Sequence, residues 1–200
     1  MLRRHRAGPG CLAAALLLGL LLLLYGLFTG PRDLDAYPPA ATSPYRLPWP
    51  GGVTRLCVQG NRAVVSHRAD DGEVAWDFAM PVGSPVVAAR GGRVARVVVE
   101  HTRRGTDAPN NLIAIDHGDG TSGWYLHLEQ GGALVAVGDV VRQGQPIGRS
   151  GNVGRSLLPH LHFHVRGPDG TTQPIAFADV PRHRGVPRML CRYTSGNSTR

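Results

Sequence analysis

The sequence contains no lysine, so arginine provides every basic side chain apart from histidine. A chain without lysine cannot act as a biotinyl or lipoyl carrier, because those carriers are modified on a lysine. Aromatic residues are also scarce, at 6% of the chain, and they are not interleaved with the basic residues. The net charge of +8 therefore lacks the pattern of a nucleic-acid-binding surface, and we expect no nucleic-acid partner.

Charged residues are absent from residues 11–28, a leucine-rich run that follows three arginines within the first six residues. Such a run can span a bilayer, and the arginines before it predict a cytoplasmic N-terminus. Since Pro31 makes a poor signal-cleavage site, we predict an uncleaved signal anchor over residues 1–30. The protein would then be a single-pass protein of the inner (cytoplasmic) membrane, with its folded domain on the periplasmic or extracytoplasmic side. The alternative is secretion after signal cleavage.

Composition divides the rest of the chain into three regions. Residues 31–50 contain six prolines without apolar periodicity, which predicts an extended linker. Residues 51–180 form the predicted folded domain, and residues 181–200 form a basic C-terminal tail. Cys57 lies near the start of this domain and Cys191 in the tail, and an oxidising compartment would permit a disulfide between them. The sequence leaves open whether they pair or stay as thiols.

Short valine-rich runs, separated by glycine and proline roughly every ten residues, dominate the chain from Val53 onward. Residues 86–89, 94–99, 112–115 and 123–128 are examples, and the glycine-rich segments between them are turn signals. We therefore predict an all-β fold, a glycine-rich antiparallel β-sheet barrel or sandwich. Polar residues 103–111 lack periodicity and are expected to form a mobile loop at the edge of a cleft.

Three histidines, His160, His162 and His164, alternate with Leu161 and Phe163. In a β-strand this spacing puts all three imidazoles on one face and the apolar side chains on the other. Imidazole is the commonest neutral metal ligand and titrates near neutral pH, so one strand could bind a cation and carry a general acid or base beside it. For an isolated His-x-His pair, polar residues on a solvated face are the more common explanation.

Four segments in a fixed order favour the metal site. They are Asp77 with residues 83–86, residues 125–128, residues 138–145, and residues 154–162. Together they resemble the lysostaphin-like zinc metallopeptidases of family M23, also called LytM or peptidoglycan endopeptidase domains. The resemblance covers about residues 45–175.

The resemblance implies a zinc ion held by one histidine, one aspartate and the second histidine of His-x-His. Asp77 and His162 occupy two of these positions. The common family pattern has its first histidine four residues before the aspartate, where this chain has Glu73, whereas His67 resembles a variant with a longer loop. We predict His67, Asp77 and His162 as the metal ligands, with Glu73 as the alternative first ligand. Three protein ligands leave the fourth position open, as in catalytic zinc sites.

His127 and His160 match the two active-site histidines of the family that do not bind the metal. The resemblance implies that one accepts a proton from water, while the other stabilises the oxyanion or protonates the departing amine. His164 replaces an acidic or amide residue that the family often carries, and we interpret it as lying behind the metal ligands or on the surface.

The resemblance therefore implies a zinc-dependent endopeptidase that hydrolyses peptide cross-links of bacterial cell-wall peptidoglycan. Its cofactor would be zinc and its partner a peptidoglycan peptide, with the inner membrane as a second partner through the N-terminal segment. Because the first histidine is displaced from its common position, an alternative function stays open. In this alternative the protein is a catalytically inactive scaffold or activator of another cell-wall hydrolase. The sequence carries no signal for the oligomeric state.

Overall fold

The structure is a computed structural model, and it describes residues 16–21, 24, 33–63, 67 and 73–198. The valine-rich runs form short strands, and the glycine and proline segments between them form turns. The strands are β1 (Thr54–Gln59), β2 (Ala75–Ala79), β3 (Pro85–Val87), β4 (Gly92–Val98), β5 (Leu112–Asp116), β6 (Ser122–Leu126), β7 (Leu128–Ala133), β8 (Val140–Val141), β9 (Pro146–Ser150), β10 (His160–Arg166) and β11 (Arg192–Thr194). Short 3₁₀ turns lie at Ala40–Thr42 and His183–Gly185.

The strands form two sheets. The larger has eight strands in the order β11-β1-β2-β10-β6-β5-β4-β8, and the smaller has three in the order β3-β9-β7. Every pairing between these named strands is antiparallel. The prediction of an antiparallel, mostly β fold is therefore confirmed over the described residues.

Strands β2 and β10 lie side by side at the centre of the larger sheet; β10 alternates histidine with apolar residues, and β2 carries Asp77 between Trp76 and Phe78. In β10, Leu161 and Phe163 are fully buried in the core, as are Trp76 and Phe78 in β2. Because successive side chains of a strand point to opposite faces, the histidines of β10 and Asp77 of β2 share the other face. The alternation that builds the core thus also gathers the polar residues.

The proline-rich segment before β1 is part of the core over its described residues 33–50. Five of its residues are buried, namely Tyr37, Tyr45, Leu47, Pro48 and Trp49. The Trp49 ring packs edge-on against Phe78, with ring centroids 4.7 Å apart. The segment therefore does not behave as the predicted extended linker, because its aromatic and apolar side chains have a core to enter.

The C-terminal region also joins the sheet. Strand β11 pairs with β1, with Thr54 opposite Thr194, and Tyr193 of β11 is buried. The predicted tail therefore forms one edge of the larger sheet. The backbone N–H of Cys57 donates to the carbonyl oxygen of Cys191 at 2.9 Å, and both thiols are free in this structure. The two cysteines are thus neighbours, as a disulfide would require.

The signal anchor predicted for residues 1–30 lies mostly outside the described residues. Within that range the structure describes residues 16–21 and 24, which are helical and exposed. Across all described residues, no helix has both the length and the apolar character needed to cross a bilayer.

Replacing Trp49 with alanine should lower the free energy of unfolding by about 3–5 kcal/mol, because it empties a fully buried site beside Phe78. Urea unfolding of the domain measures the change. Leu134→Ala is the matched control, since Leu134 is 53% exposed and its loss should cost no more than about 0.5 kcal/mol. Equal small effects would show that the segment before β1 is a free linker.

Candidate metal centre

The predicted site residues converge on three neighbouring strands of the larger sheet. Asp77 on β2 lies directly opposite His162 on β10. His160 begins β10, and His127 directly follows β6, which pairs with the other edge of β10. His67 comes from the connection between β1 and β2. Long-range strand pairing therefore assembles residues that are far apart in the sequence.

Three predicted ligands form a compact group. His67, Asp77 and His162 each offer one ligand atom, and these atoms all lie within 4.8 Å of one another. Oδ1 of Asp77 is 2.8 Å from Nδ1 of His162 and 3.3 Å from Nε2 of His67. A tetrahedral ion with ligands at about 2.0–2.1 Å holds them roughly 3.3 Å apart, so small shifts would accommodate zinc among these atoms.

His67 supplies the clearest sign that the site fits a metal. Its Nδ1 lies 2.8 Å from the carbonyl oxygen of Gly60, which can only accept, so Nδ1 carries the proton and Nε2 keeps its lone pair. This Nε2 is buried and makes no hydrogen bond with any residue that the structure describes. A buried acceptor without a donor is costly, and a metal ion would satisfy it.

Glu73, the alternative first ligand, points elsewhere. Its carboxylate pairs with Nε of Arg62 at 2.8 Å, and its side chain is 39% exposed. Its backbone carbonyl also accepts a hydrogen bond from Arg62 N–H at 2.7 Å. The geometry therefore favours His67 over Glu73 as the third ligand.

Asp77 is the only carboxylate in the group. Oδ1 faces the histidines, while Oδ2 accepts a hydrogen bond from Nε2 of Gln59 at 3.1 Å. Burial raises the pKa of Asp77, but the hydrogen bond from His162 and the nearby ring of His67 outweigh burial and hold the pKa well below its usual range. Gln59 is a contributor that the sequence motifs did not indicate, since it precedes the recognisable segments.

His127 and His160 are oriented in the same way as His67. Nδ1 of His127 lies 2.8 Å from the carbonyl oxygen of Val153, and Nδ1 of His160 lies 2.7 Å from that of Leu158. Both rings therefore donate through Nδ1 and keep an unprotonated Nε2. Their centroids are 4.6 Å apart, and Nε2 of His160 is 3.6 Å from Oδ1 of Asp77.

Burial lowers the pKa of His127 to about 3, and the nearby His160 and His162 add to this effect. Burial also lowers the pKa of His162, although Asp77 opposes the change. In the absence of a metal both rings are therefore neutral at pH 7.

The strand predicted for residues 123–128 is interrupted at His127. Its φ of 65° lies in the left-handed region, which a non-glycine residue rarely adopts, and it separates β6 from β7. The turn carries the chain from the larger sheet to the smaller one. Strain of this kind is commonly stored at functional sites. Neither periodicity nor composition could have indicated it.

The loop over residues 103–111, predicted to be mobile, is tied to the segment before β10. Gly105 N–H donates to the carbonyl oxygen of Gly154 at 3.0 Å, and Gly154 N–H donates to that of Arg103 at 2.9 Å. Gly154 has a φ of 87°, which favours glycine. Because Val153 precedes Gly154, these bonds also steady the carbonyl that orients His127.

Comparison with known proteins gives a family and several relatives. The model of peptidase family M23 matches residues 72–175. Peptidoglycan DD-endopeptidase ShyA of Vibrio cholerae is 40% identical over 114 residues, which are 56% of this chain and 24% of the relative. Glycyl-glycine endopeptidase ALE-1 of Staphylococcus capitis is 41% identical over 88 residues, 44% of this chain and 22% of the relative.

Solved structures include the catalytic domain of the antimicrobial peptidase lysostaphin from Staphylococcus simulans. The similarity covers 61% of this chain and 87% of that domain, with 29% sequence identity and a TM-score of 0.46. This chain spans about a quarter or less of the length of the two curated relatives that it matches.

Purified domain should bind one equivalent of zinc, and His67→Ala or His162→Ala should abolish stoichiometric binding because each removes one of the three predicted ligands. Glu73→Ala should leave binding nearly intact, since Glu73 pairs with Arg62. Equilibrium dialysis with metal analysis measures the stoichiometry. Zinc retained in His67→Ala but lost in Glu73→Ala would identify Glu73 as the ligand.

Proposed function

The chain belongs to peptidase family M23, and from this membership and the site geometry we propose that it is a zinc-dependent endopeptidase of bacterial peptidoglycan. The observation that carries the proposal is the arrangement around Asp77. One buried carboxylate oxygen lies within 3.6 Å of nitrogens of His67, His160 and His162. A folding role alone does not explain three imidazoles converging on one carboxylate.

We assign zinc binding to His67, Asp77 and His162. When bound there, zinc would supply a Lewis acid that lowers the pKa of a water molecule and polarises the scissile carbonyl. Two imidazoles and one carboxylate leave a fourth position for solvent or substrate, which is the donor set of catalytic zinc sites. Gln59 supports this set because it donates to the Asp77 oxygen that faces away from the histidines.

Proton transfer is assigned to His127 and His160. Each keeps an unprotonated Nε2 because a backbone carbonyl accepts from Nδ1, so either ring can take the proton of an attacking water. The same carbonyl stabilises the imidazolium that results. The protonated ring can then donate to the oxyanion or to the departing amine, which breaks the peptide bond.

The proposed substrate class is a peptide cross-link of peptidoglycan. One relative is named a peptidoglycan DD-endopeptidase and another a glycyl-glycine endopeptidase, and they match this chain at 40% and 41% identity. The first name supports peptidoglycan as the substrate, and similarity to both supports cleavage within a peptide rather than one particular bond.

The second candidate function is a catalytically inactive scaffold, and the arrangement of the site residues argues against it. A scaffold needs no metal-binding group, whereas His67, Asp77 and His162 form one here and His127 and His160 lie beside it. The displaced first histidine was the reason to consider the scaffold. In the structure Nε2 of His67 lies 3.3 Å from Oδ1 of Asp77.

We also propose, from the sequence alone, that the charge-free run at residues 11–28 anchors the protein in the inner membrane with the domain outside. Protease added to intact spheroplasts should then remove the folded domain while a cytoplasmic marker protein survives. Full protection of the domain, or a soluble mature product that begins near Pro31, would contradict the anchor.

His127→Ala and His160→Ala should each lower the rate of peptidoglycan hydrolysis roughly 10²- to 10⁴-fold, the usual contribution of one positioned acid, base or oxyanion donor. Zinc content and the unfolding midpoint should change little, because neither residue is assigned to the metal. Release of new amino groups from purified sacculi measures the rate. Zinc-loaded wild type that cleaves no type of cross-link would favour the scaffold.

A further inference from the structure

Two cysteines lie opposite each other where the C-terminal strand β11 joins the larger sheet. Leu56 pairs with Arg192 in the register of β1 and β11. The next position along sets Cys57 opposite Cys191, and the backbone N–H of Cys57 donates to the carbonyl oxygen of Cys191 at 2.9 Å. We propose that these two thiols are oxidised to a disulfide, which fastens the C-terminal segment to β1 beside the metal group. The proposed location outside the membrane would supply an oxidising environment.

The backbone geometry brings the two side chains within reach of each other. Residues that face each other through a hydrogen bond across antiparallel strands have Cα atoms about 5.5 Å apart and side chains on the same face. Disulfides join cysteines whose Cα atoms are about 4.4–6.8 Å apart. The carbonyl oxygen of Cys57 accepts from the N–H of Leu190 at 2.8 Å, and Leu190 has a φ of 63°, so a bulge leaves Cys57 facing Leu190 and Cys191 together. Bond formation therefore requires rotation of the two side chains and no sliding of the strands.

The two thiols differ in their access to solvent, which sets the order of the oxidation steps. Cys57 is fully buried in the core opposite Phe78, whereas Cys191 is half-buried at the edge of the core. Sγ of Cys191 therefore loses its proton and attacks a low-molecular-weight disulfide such as oxidised glutathione, which releases one thiol. Sγ of Cys57 then loses its proton and attacks Sγ of Cys191, which releases the second thiol. Two protein thiols are oxidised while one disulfide of the reagent is reduced.

The bond would hold a segment that packs behind one of the proposed metal ligands. The backbone of residues 187–189 lies against Gly60, where an added Cβ atom would come within 3.5 Å of the carbonyl oxygen of Pro187. Nε1 of Trp76 donates to the same carbonyl oxygen at 3.1 Å. Gly60 in turn provides the carbonyl oxygen that lies 2.8 Å from Nδ1 of His67. A disulfide close after this segment would therefore fix the packing that places the carbonyl behind the ligand.

Strand β1 carries the same effect to the carboxylate of the metal group. One residue separates Cys57 from Gln59, and Nε2 of Gln59 donates to Oδ2 of Asp77 at 3.1 Å. Oxidation removes the hydrogen bond that Sγ–H of Cys57 donates to the carbonyl oxygen of Gln59 at 3.3 Å, but a thiol is a weak donor. The covalent bond adds a fixed point directly before Gln59 and Gly60. The bond itself does not depend on the proposed peptidase, whereas this effect on the metal group rests on the proposed zinc site.

Tryptic peptides of the full chain test the bond directly. Trypsin cleaves after arginine, so Cys57 lies in the peptide of residues 56–62 and Cys191 in the peptide of residues 189–192. The full chain is purified in detergent, equilibrated with oxidised and reduced glutathione, and treated to block free thiols before digestion. Mass spectrometry without reduction should find the two peptides joined. Free thiols in both peptides, glutathione on either, or a link to Cys11 would overturn the proposal.

Comparison of the oxidised and reduced full chain measures what the bond does. Reduction with a phosphine needs no substitution and should lower the melting temperature by roughly 10 °C, because the bond closes a loop that contains most of the folded domain. It should also raise the zinc dissociation constant about 10-fold, since the packing behind His67 loosens. Cys191→Ser should reproduce both changes without reductant, and Cys11→Ser is the matched control that should change neither. Equal zinc affinity in the oxidised and reduced chain would overturn the effect on the metal group.

The outcomes separate this inference from the function proposed above. Joined peptides in a chain that binds no zinc in either state would contradict the zinc site and support the bond. Unjoined peptides in a chain that binds zinc and hydrolyses peptidoglycan would contradict the bond and support the peptidase.

Discussion

The site depends on the register between strands β2 and β10, which sets Asp77 opposite His162. Both strands use the period of two to send aromatic residues into the core and polar residues to the other face. A shift of one residue in β2 would turn the Asp77 carboxylate into the core and turn Trp76 and Phe78 out of it. The hydrophobic core therefore specifies the metal group, and the two cannot vary independently.

Backbone carbonyls provide the second layer of control. Gly60, Val153 and Leu158 each accept from Nδ1 of a different site histidine, so three rings keep their Nε2 lone pairs available. These carbonyls lie in loops, whereas Asp77, His160 and His162 lie on strands. The loops are fixed in turn by hydrogen bonds, such as those between Gly154 and residues 103–105. The loop carbonyls therefore fix which nitrogen of each ring keeps its lone pair, and the sheet fixes the distances between Asp77, His160 and His162.

Sequence reasoning found the parts of this site that obey local rules. The alternation of β10 and the motif around Asp77 depend on neighbours in the chain, so the strand, its histidines and the all-β class were predictable. The choice of His67 over Glu73 came from the resemblance to a variant with a longer loop, because no local rule shows that Glu73 pairs with Arg62 instead. The burial of Trp49 and the left-handed turn at His127 were also hidden, since both arise from packing between distant segments.

Anomalous diffraction at the zinc absorption edge, from crystals of the chain grown with equimolar zinc, tests the central claim most directly. We expect one peak, coordinated by Nε2 of His67, Oδ1 of Asp77 and Nδ1 of His162, with His127 and His160 nearby but not bound. A peak coordinated by Glu73 in place of His67, or the absence of any peak at this group, would contradict the account.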